Sequence, residues 1–339
     1  MEYHLSNGLG LAVKFLDMGG CVKSITFPDR NGQLDNVVLG FGTEEEYHRD
    51  HPYFGALVGR FSGRIARAAF ELEDVVFQLA ANNGKNHIAG GFQGFDKKLW
   101  AVEVLSRASA KLTYTSPAGE EGFPGKLDVS VTYTVTSDNC FRLDYEAVTD
   151  APTVLNLTNH SYFNLGGEGS GSVEGHVLTV EAAQVIEVDD ELIPTGKLLN
   201  VEGTPLDFRQ PHTIGARIRS GHLLTKFAKG YDCSFVLDGG PELRHVARAY
   251  DPVSGRILEV ETSEPSLAFY SGNFLDGSII GTSGRQYRQG DAFTLEPRHL
   301  PDSPNQPNFP STVLRPGEKY RASTVYRFSN DSRKEICFE

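Results

Sequence analysis

The sequence predicts an all-β protein, a large antiparallel β-sandwich with a few short helices, and three observations carry that prediction. Apolar and polar residues alternate with a period of two in the clearest segments, Gly and Pro punctuate the whole chain, and helical patterns are few and short. The 339 residues include 36 Gly and 17 Pro, enough turn chemistry to separate many short strands. With 39% apolar and 22% charged residues, the composition is that of a folded rather than a disordered chain.

Strands are expected at residues 100–105 and 111–115, and most clearly at 127–135. There Leu127, Val129, Val131, Tyr133 and Val135 alternate with Asp128, Ser130, Thr132 and Thr134, the mark of one buried and one solvated face. Phe141, Leu143, Tyr145 and Ala147 alternate with Arg142, Asp144 and Glu146 just after Ser137-Asp138-Asn139, which predicts a hairpin and antiparallel pairing. Further runs lie at 177–181, 257–261, 267–270 and 320–328. Thr43-Glu44-Glu45-Glu46 reads as a capping box opening a short helix. Residues 212–227 hold another, weakened by Gly215 and Gly221. The Pro-dense stretch 297–316 reads as a long loop, a class of segment that is commonly functional in compact domains. Without a linker, a low-complexity tract or an internal repeat, residues 1–339 are expected to form a single domain.

Thirty-two Lys and Arg against 44 Asp and Glu give a net charge of −12, which opposes attraction to phosphate backbones and argues against nucleic acid as a partner. The first residues have neither a basic end nor an apolar core, and no apolar run approaches the ~18 residues of a membrane span. Cys21, Cys140, Cys233 and Cys337 form no Cys-x-x-Cys pair, so reduced thiols and a cytoplasmic location are expected. Ten scattered histidines without His-Glu-x-x-His give no support for a catalytic metal.

The segment 156–165, Asn-Leu-Thr-Asn-His-Ser-Tyr-Phe-Asn-Leu, surrounds His160 with amides, a hydroxyl and aromatic rings. An imidazole in that company suits proton transfer to a polar, ring-shaped substrate, although a satisfied strand-end histidine has the same sequence. Glu296 closes an alternating run, Phe293-Thr294-Leu295-Glu296, before the Pro-rich loop. It reads either as a reactive carboxylate presented by a rigid sheet or as a solvated strand end. Arg60 and Arg64, in a Gly-rich run, are good partners for sugar hydroxyls, or equally solvated surface arginines. Asp232 could accept hydrogen bonds from the same hydroxyls or cap a turn.

Taken together, these segments resemble the aldose 1-epimerase (galactose mutarotase) family. The similar residues include 37–41, 52–56, Gly59-Arg60, Gly63-Arg64-Ile65, Asn83-Gly84, Gly90-Gly91, Gly94-Phe95-Asp96 and Trp100. They continue through Gly122-Phe123-Pro124-Gly125, 156–165, Leu206-Asp207-Phe208-Arg209, Gly230 with Asp232, Leu295-Glu296 and Pro301-Asp302. The resemblance implies a sandwich of the galactose mutarotase type with a sugar cleft and no cofactor. It implies His160 as general acid, Glu296 as general base, and Arg64 and Asp232 as holders of sugar hydroxyls. The implied reaction is the interconversion of α and β anomers of an aldohexose such as galactose or glucose. The only expected partners are that sugar and, if the protein is a homodimer rather than a monomer, a second copy.

Three positions depart from the family pattern. Leu-His-Gly-Gly reads Ile88-Ala89-Gly90-Gly91, Asn-Arg reads Gly63-Arg64, and Asp-His reads Asp232-Cys233. Each removes or weakens a hydrogen-bonding side chain expected in the cleft. His87, two residues before Ala89, shares its face if that stretch is extended, and is then placed to bind substrate in its stead. The departures motivate an alternative, a divergent member acting on another sugar or ring-shaped molecule. A non-catalytic sugar-binding protein is a third reading, opposed by the presence of both an acid and a base. A glycoside hydrolase would more commonly use two carboxylates.

Overall fold

The computed structural model describes residues 1–332, so Cys337 lies outside the described part. Every strand anticipated above is present: Ala101–Ser106, Ser109–Ser116, Leu127–Val135, Cys140–Thr149, Val177–Val180, Arg256–Thr262, Ser266–Tyr270 and Tyr320–Asn330. The hairpin pairs antiparallel with Val135 opposite Phe141 and Val131 opposite Tyr145. A slip of one residue would turn Asp128, Ser130 and Thr132 into the core, so burial itself fixes the register.

Two sheets make the sandwich. The larger has nine strands, in the order 212–213, 177–180, 244–250, 256–262, 320–330, 140–149, 127–135, 109–116 and 101–106. The smaller has five, in the order Pro194–Asn200, Gln184–Val188, Asp232–Val236, Ser266–Tyr270 and Thr294–Arg298. Val131, Tyr145, Leu258 and Tyr326 of the first sheet share one apolar core with Phe235, Leu267, Phe269 and Leu295 of the second. Burying each such side chain contributes roughly 1.5–3 kcal/mol. The Tyr326 hydroxyl also donates to the Leu295 carbonyl at 2.9 Å, pinning one sheet to the other.

The N-terminal region holds strands that the sequence reading did not anticipate. Glu2–Ser6, Ala12–Leu16, Val22–Pro28 and Leu34–Asn36 form a separate four-stranded sheet. These strands are three to seven residues long, and the pairing of Ala12–Leu16 with Val22–Pro28 shifts register at Phe15, so no long alternation announces them. The capping-box segment becomes a 3-10 turn at Glu45–His48, with the Thr43 amide and hydroxyl both donating to Glu46. Residues 212–227 break into a two-residue strand, a 3-10 turn and the helix Leu223–Phe227. The stretch 297–316 contains a 3-10 turn at Ser303–Asn305 and the short strand Val313–Leu314. No helix among the described residues is long and apolar enough to cross a membrane.

Candidate active site

One face of the five-stranded sheet packs into the core, and the other floors a cleft. The period of two decides which residue goes where. Leu295 enters the core while Thr294, Glu296 and Arg298 project from the opposite face of their strand. Cross-strand registry then places Asp232 beside Tyr270 and Tyr270 beside Thr294, with Ser234, Ala268 and Glu296 forming the next row.

His160 arrives from another direction and is held by its backbone. Its N–H donates to the Ala56 carbonyl at 2.9 Å, and its carbonyl accepts from the Gly55 N–H at 3.0 Å. The flanking Asn159 amide donates to the Gly55 carbonyl at 2.7 Å and accepts from the Ser161 hydroxyl at 2.6 Å. Three further ties lay this segment along the Glu296 strand. The Asn156 side chain exchanges two hydrogen bonds with the His299 backbone, at 3.0 and 2.9 Å. The Thr158 hydroxyl donates to the Pro297 carbonyl at 2.9 Å, and Phe163 and Phe293 exchange backbone bonds at 2.7 and 3.0 Å.

As a result His160 Nε2 lies 3.4 Å from Glu296 Oε1. Glu296 is buried, and its Oε1 accepts from the Thr294 hydroxyl at 2.7 Å while its Oε2 has no hydrogen-bond partner among the described residues. The rings of Tyr53 and Tyr162 flank the imidazole at 5.8 and 5.0 Å between centroids. A carboxylate with one unspent oxygen beside an imidazole can move two protons on neighbouring atoms of one bound molecule.

Arg64 and Asp232 also line the cleft, with Nη1 and Oδ2 separated by 3.5 Å. Arg60 does not; it is buried and donates to the carbonyls of Ser116, Pro117 and Pro124. His87 is a correction to the sequence reading. It is fully buried and outside the cleft lining, its Nδ1 is 2.8 Å from the Ala80 carbonyl oxygen, and its ring meets the edge of Phe123. The expectation assumed an extended backbone, whereas Ala89 has φ of +51°, so the alternation that would put both side chains on one face does not hold there. Cys233 is a second correction, because its side chain joins the core beneath the sheet and so takes nothing from the cleft. Ala89 and Gly63 do line it, without a polar side chain. A Cβ on Gly63 would lie 2.8 Å from Pro301 Cα and Cβ, so the loop carrying Pro301 fills the space a larger residue would need.

The sequence reading missed Ser234 and Arg298 among the lining residues, and Thr294 behind Glu296. Alternation outward from Asp232 and Glu296 was a usable signal for all three. Tyr270 and Phe274, stacked at 6.2 Å at the cleft, and the apolar wall of Ile186, Val188 and Leu192 had none.

A family model described as aldose 1-epimerase matches residues 1–327. The chain belongs to the aldose 1-epimerase family. The galactose mutarotase of Homo sapiens is 42% identical over 328 residues, covering 97% of this chain and 94% of that protein. The galactose mutarotase of Bos taurus is 43% identical over 319 residues, covering 94% and 91%, and the aldose 1-epimerase of Escherichia coli (strain K12) is 36% identical over 331 residues, covering 96% and 94%. Among solved structures, the GalM/aldose epimerase homologue from C. elegans superimposes with a TM-score of 0.90 at 32% identity, over 97% of this chain and 99% of that one. The galactose 1-epimerase from Lactobacillus acidophilus NCFM does so at 0.84 and 29%, over 97% and 94%. The sandwich of this family member is therefore of the galactose mutarotase type.

Proposed function

We propose that the protein is an isomerase that interconverts the α and β anomers of an aldohexose such as galactose or glucose. The observation that carries this reading is the 3.4 Å approach of His160 Nε2 to Glu296 Oε1 inside the cleft of an aldose 1-epimerase family member. Opening a pyranose requires loss of the C1 hydroxyl proton and gain of a proton by the ring oxygen. Glu296, through its unspent Oε2, takes the first proton as C1–O1 becomes a carbonyl and the C1–O5 bond breaks. His160, carrying a proton, delivers it to O5. Arg64 and Asp232 hold hydroxyls remote from C1. The free aldehyde then rotates about C1–C2, and the reverse transfers close the ring on the opposite face. No cofactor takes part in these steps.

Polarimetry of a freshly dissolved α-anomer tests the reading. Added protein should speed the approach to anomeric equilibrium well above the spontaneous rate, and no acceleration with any common aldose would sink it. A second reading keeps the chemistry and changes the sugar, and Ala89 and Gly63 favour it because both line the cleft without offering a hydrogen bond. Relative rates on galactose, glucose and pentoses separate the two. Cys21, Cys140 and Cys233 are buried free thiols, which supports the expected cytoplasmic setting.

A further inference from the structure

We propose that Arg298 contacts the anomeric hydroxyl and stabilises the charge that develops on it, a role that rests on the mutarotase reading above. Arg298 stands two residues beyond Glu296 on the same strand and lines the same cleft. Its side chain is only 12% exposed. Nη1 donates to the Ser62 carbonyl at 3.1 Å, which fixes the guanidinium plane, while Nε has no hydrogen-bond partner among the described residues. Leaving a donor of a buried cation unspent is costly, and the cost is offset only when an acceptor arrives.

The neighbouring carboxylate does not supply that acceptor. Nη1 lies 3.7 Å from Glu296 Oε2, too far for a hydrogen bond, and Oε2 is itself unspent. A single hydroxyl oxygen can lie against both groups, accepting from the guanidinium and donating to Oε2. The hydroxyl that Glu296 deprotonates is O1, so O1 is the atom placed there. As the O1–H proton passes to Oε2, its electron pair becomes the second bond of the carbonyl at C1. The C1–O5 pair leaves with O5, which takes the proton from His160. Negative charge crosses O1 during this shift, and the guanidinium meets it with a donor already in place.

The test measures kcat and KM for mutarotation by wild type, Arg298→Met and Arg298→Lys, with thermal melts of each. Arg298→Met should lower kcat on the order of 10²- to 10³-fold, as loss of one preorganised oxyanion donor does, with a much smaller change in KM. Arg298→Lys should restore part of that loss, and guanidinium ion added to Arg298→Ala should raise kcat in a saturable way. Should Arg298→Met fail to fold, the lysine variant and the guanidinium rescue carry the test. A folded variant with kcat within twofold of wild type, or a loss confined to KM, would overturn the role of Arg298 alone. A wild-type protein that accelerates no aldose would overturn the parent reading and this one with it.

Discussion

The Thr158 hydroxyl donates a 2.9 Å hydrogen bond to the carbonyl oxygen of Pro297. Thr158 stands two residues before His160, and Pro297 immediately follows Glu296. The bond therefore sets the spacing of the two segments that carry the proposed acid and base. Its neighbours on either side are the Asn156 contacts to His299 and the Phe163 exchange with Phe293. The polar residues of segment 156–165 are thus chiefly a scaffold for His160, and that accounts for their density.

Asn156→Ala should weaken both stability and catalysis. It removes two partly buried hydrogen bonds to the His299 N–H and C=O, a cost of about 2–4 kcal/mol in chemical denaturation. The same change loosens one segment against the other, and kcat for mutarotation should fall at least about tenfold. An unchanged unfolding midpoint together with normal kcat would show that Asn156 does not set the spacing.

Glu296→Gln should fold normally, because it keeps the shape of the side chain and an acceptor for Thr294. Without a basic oxygen, kcat should fall on the order of 10²- to 10⁴-fold by polarimetry. Retention of more than a tenth of the wild-type rate would remove Glu296 from the role of base.

Ala89→His should change sugar preference rather than abolish activity. Ala89 lines the cleft at φ of +51°, a conformation in which His is tolerated better than most residues. If the native substrate is not galactose, the variant should gain rate on galactose relative to the native protein's best sugar. Equal effects on both would count against the alternative substrate. Gly63→Asn, by contrast, should lower thermal stability, because its Cβ would press on Pro301.

Acid should destabilise the fold partly through His87. Burial lowers its pKa from 6.5 to about 4, opposed in part by the bond to the Ala80 carbonyl. Between those values the unfolded chain holds the extra proton. The stabilisation is therefore complete above pH 6.5 and lost as pH falls toward 4, at most about 3 kcal/mol. His51, lowered to about 3, and His176, lowered to about 4, act in the same direction. Asp96, raised by burial to about 6, acts oppositely, its contribution being full below pH 3.8 and lost as pH rises through 6. Denaturation midpoints from pH 7 to 4 should fall less steeply for His87→Asn than for wild type, with KM for sugar unchanged at pH 7. Parallel curves, or a raised KM, would contradict the buried position of His87.

Local pattern alone determined a large part of this protein. Alternation of period two placed eight of the strands from 101 onward, though not those at 184–188, 194–200, 232–236 or 244–250, and fixed the hairpin at 127–149, because a sheet with one buried face tolerates no other register. Motif and resemblance singled out His160, Glu296, Arg64 and Asp232, all of which line one cleft. Tertiary structure decided what local pattern could not. The approach of His160 to Glu296 depends on hydrogen bonds between segments remote in the chain. The inward position of His87 depends on its backbone pairing with Ile65 and the contact of its Nδ1 with the Ala80 carbonyl. Cys233 faces the core because Asp232, one residue earlier, faces the cleft. The unspent donor of Arg298 appears only once Ser62 and Glu296 stand beside it. A sequence displays the period of its own backbone, whereas a site is made of side chains that only long-range packing brings within reach.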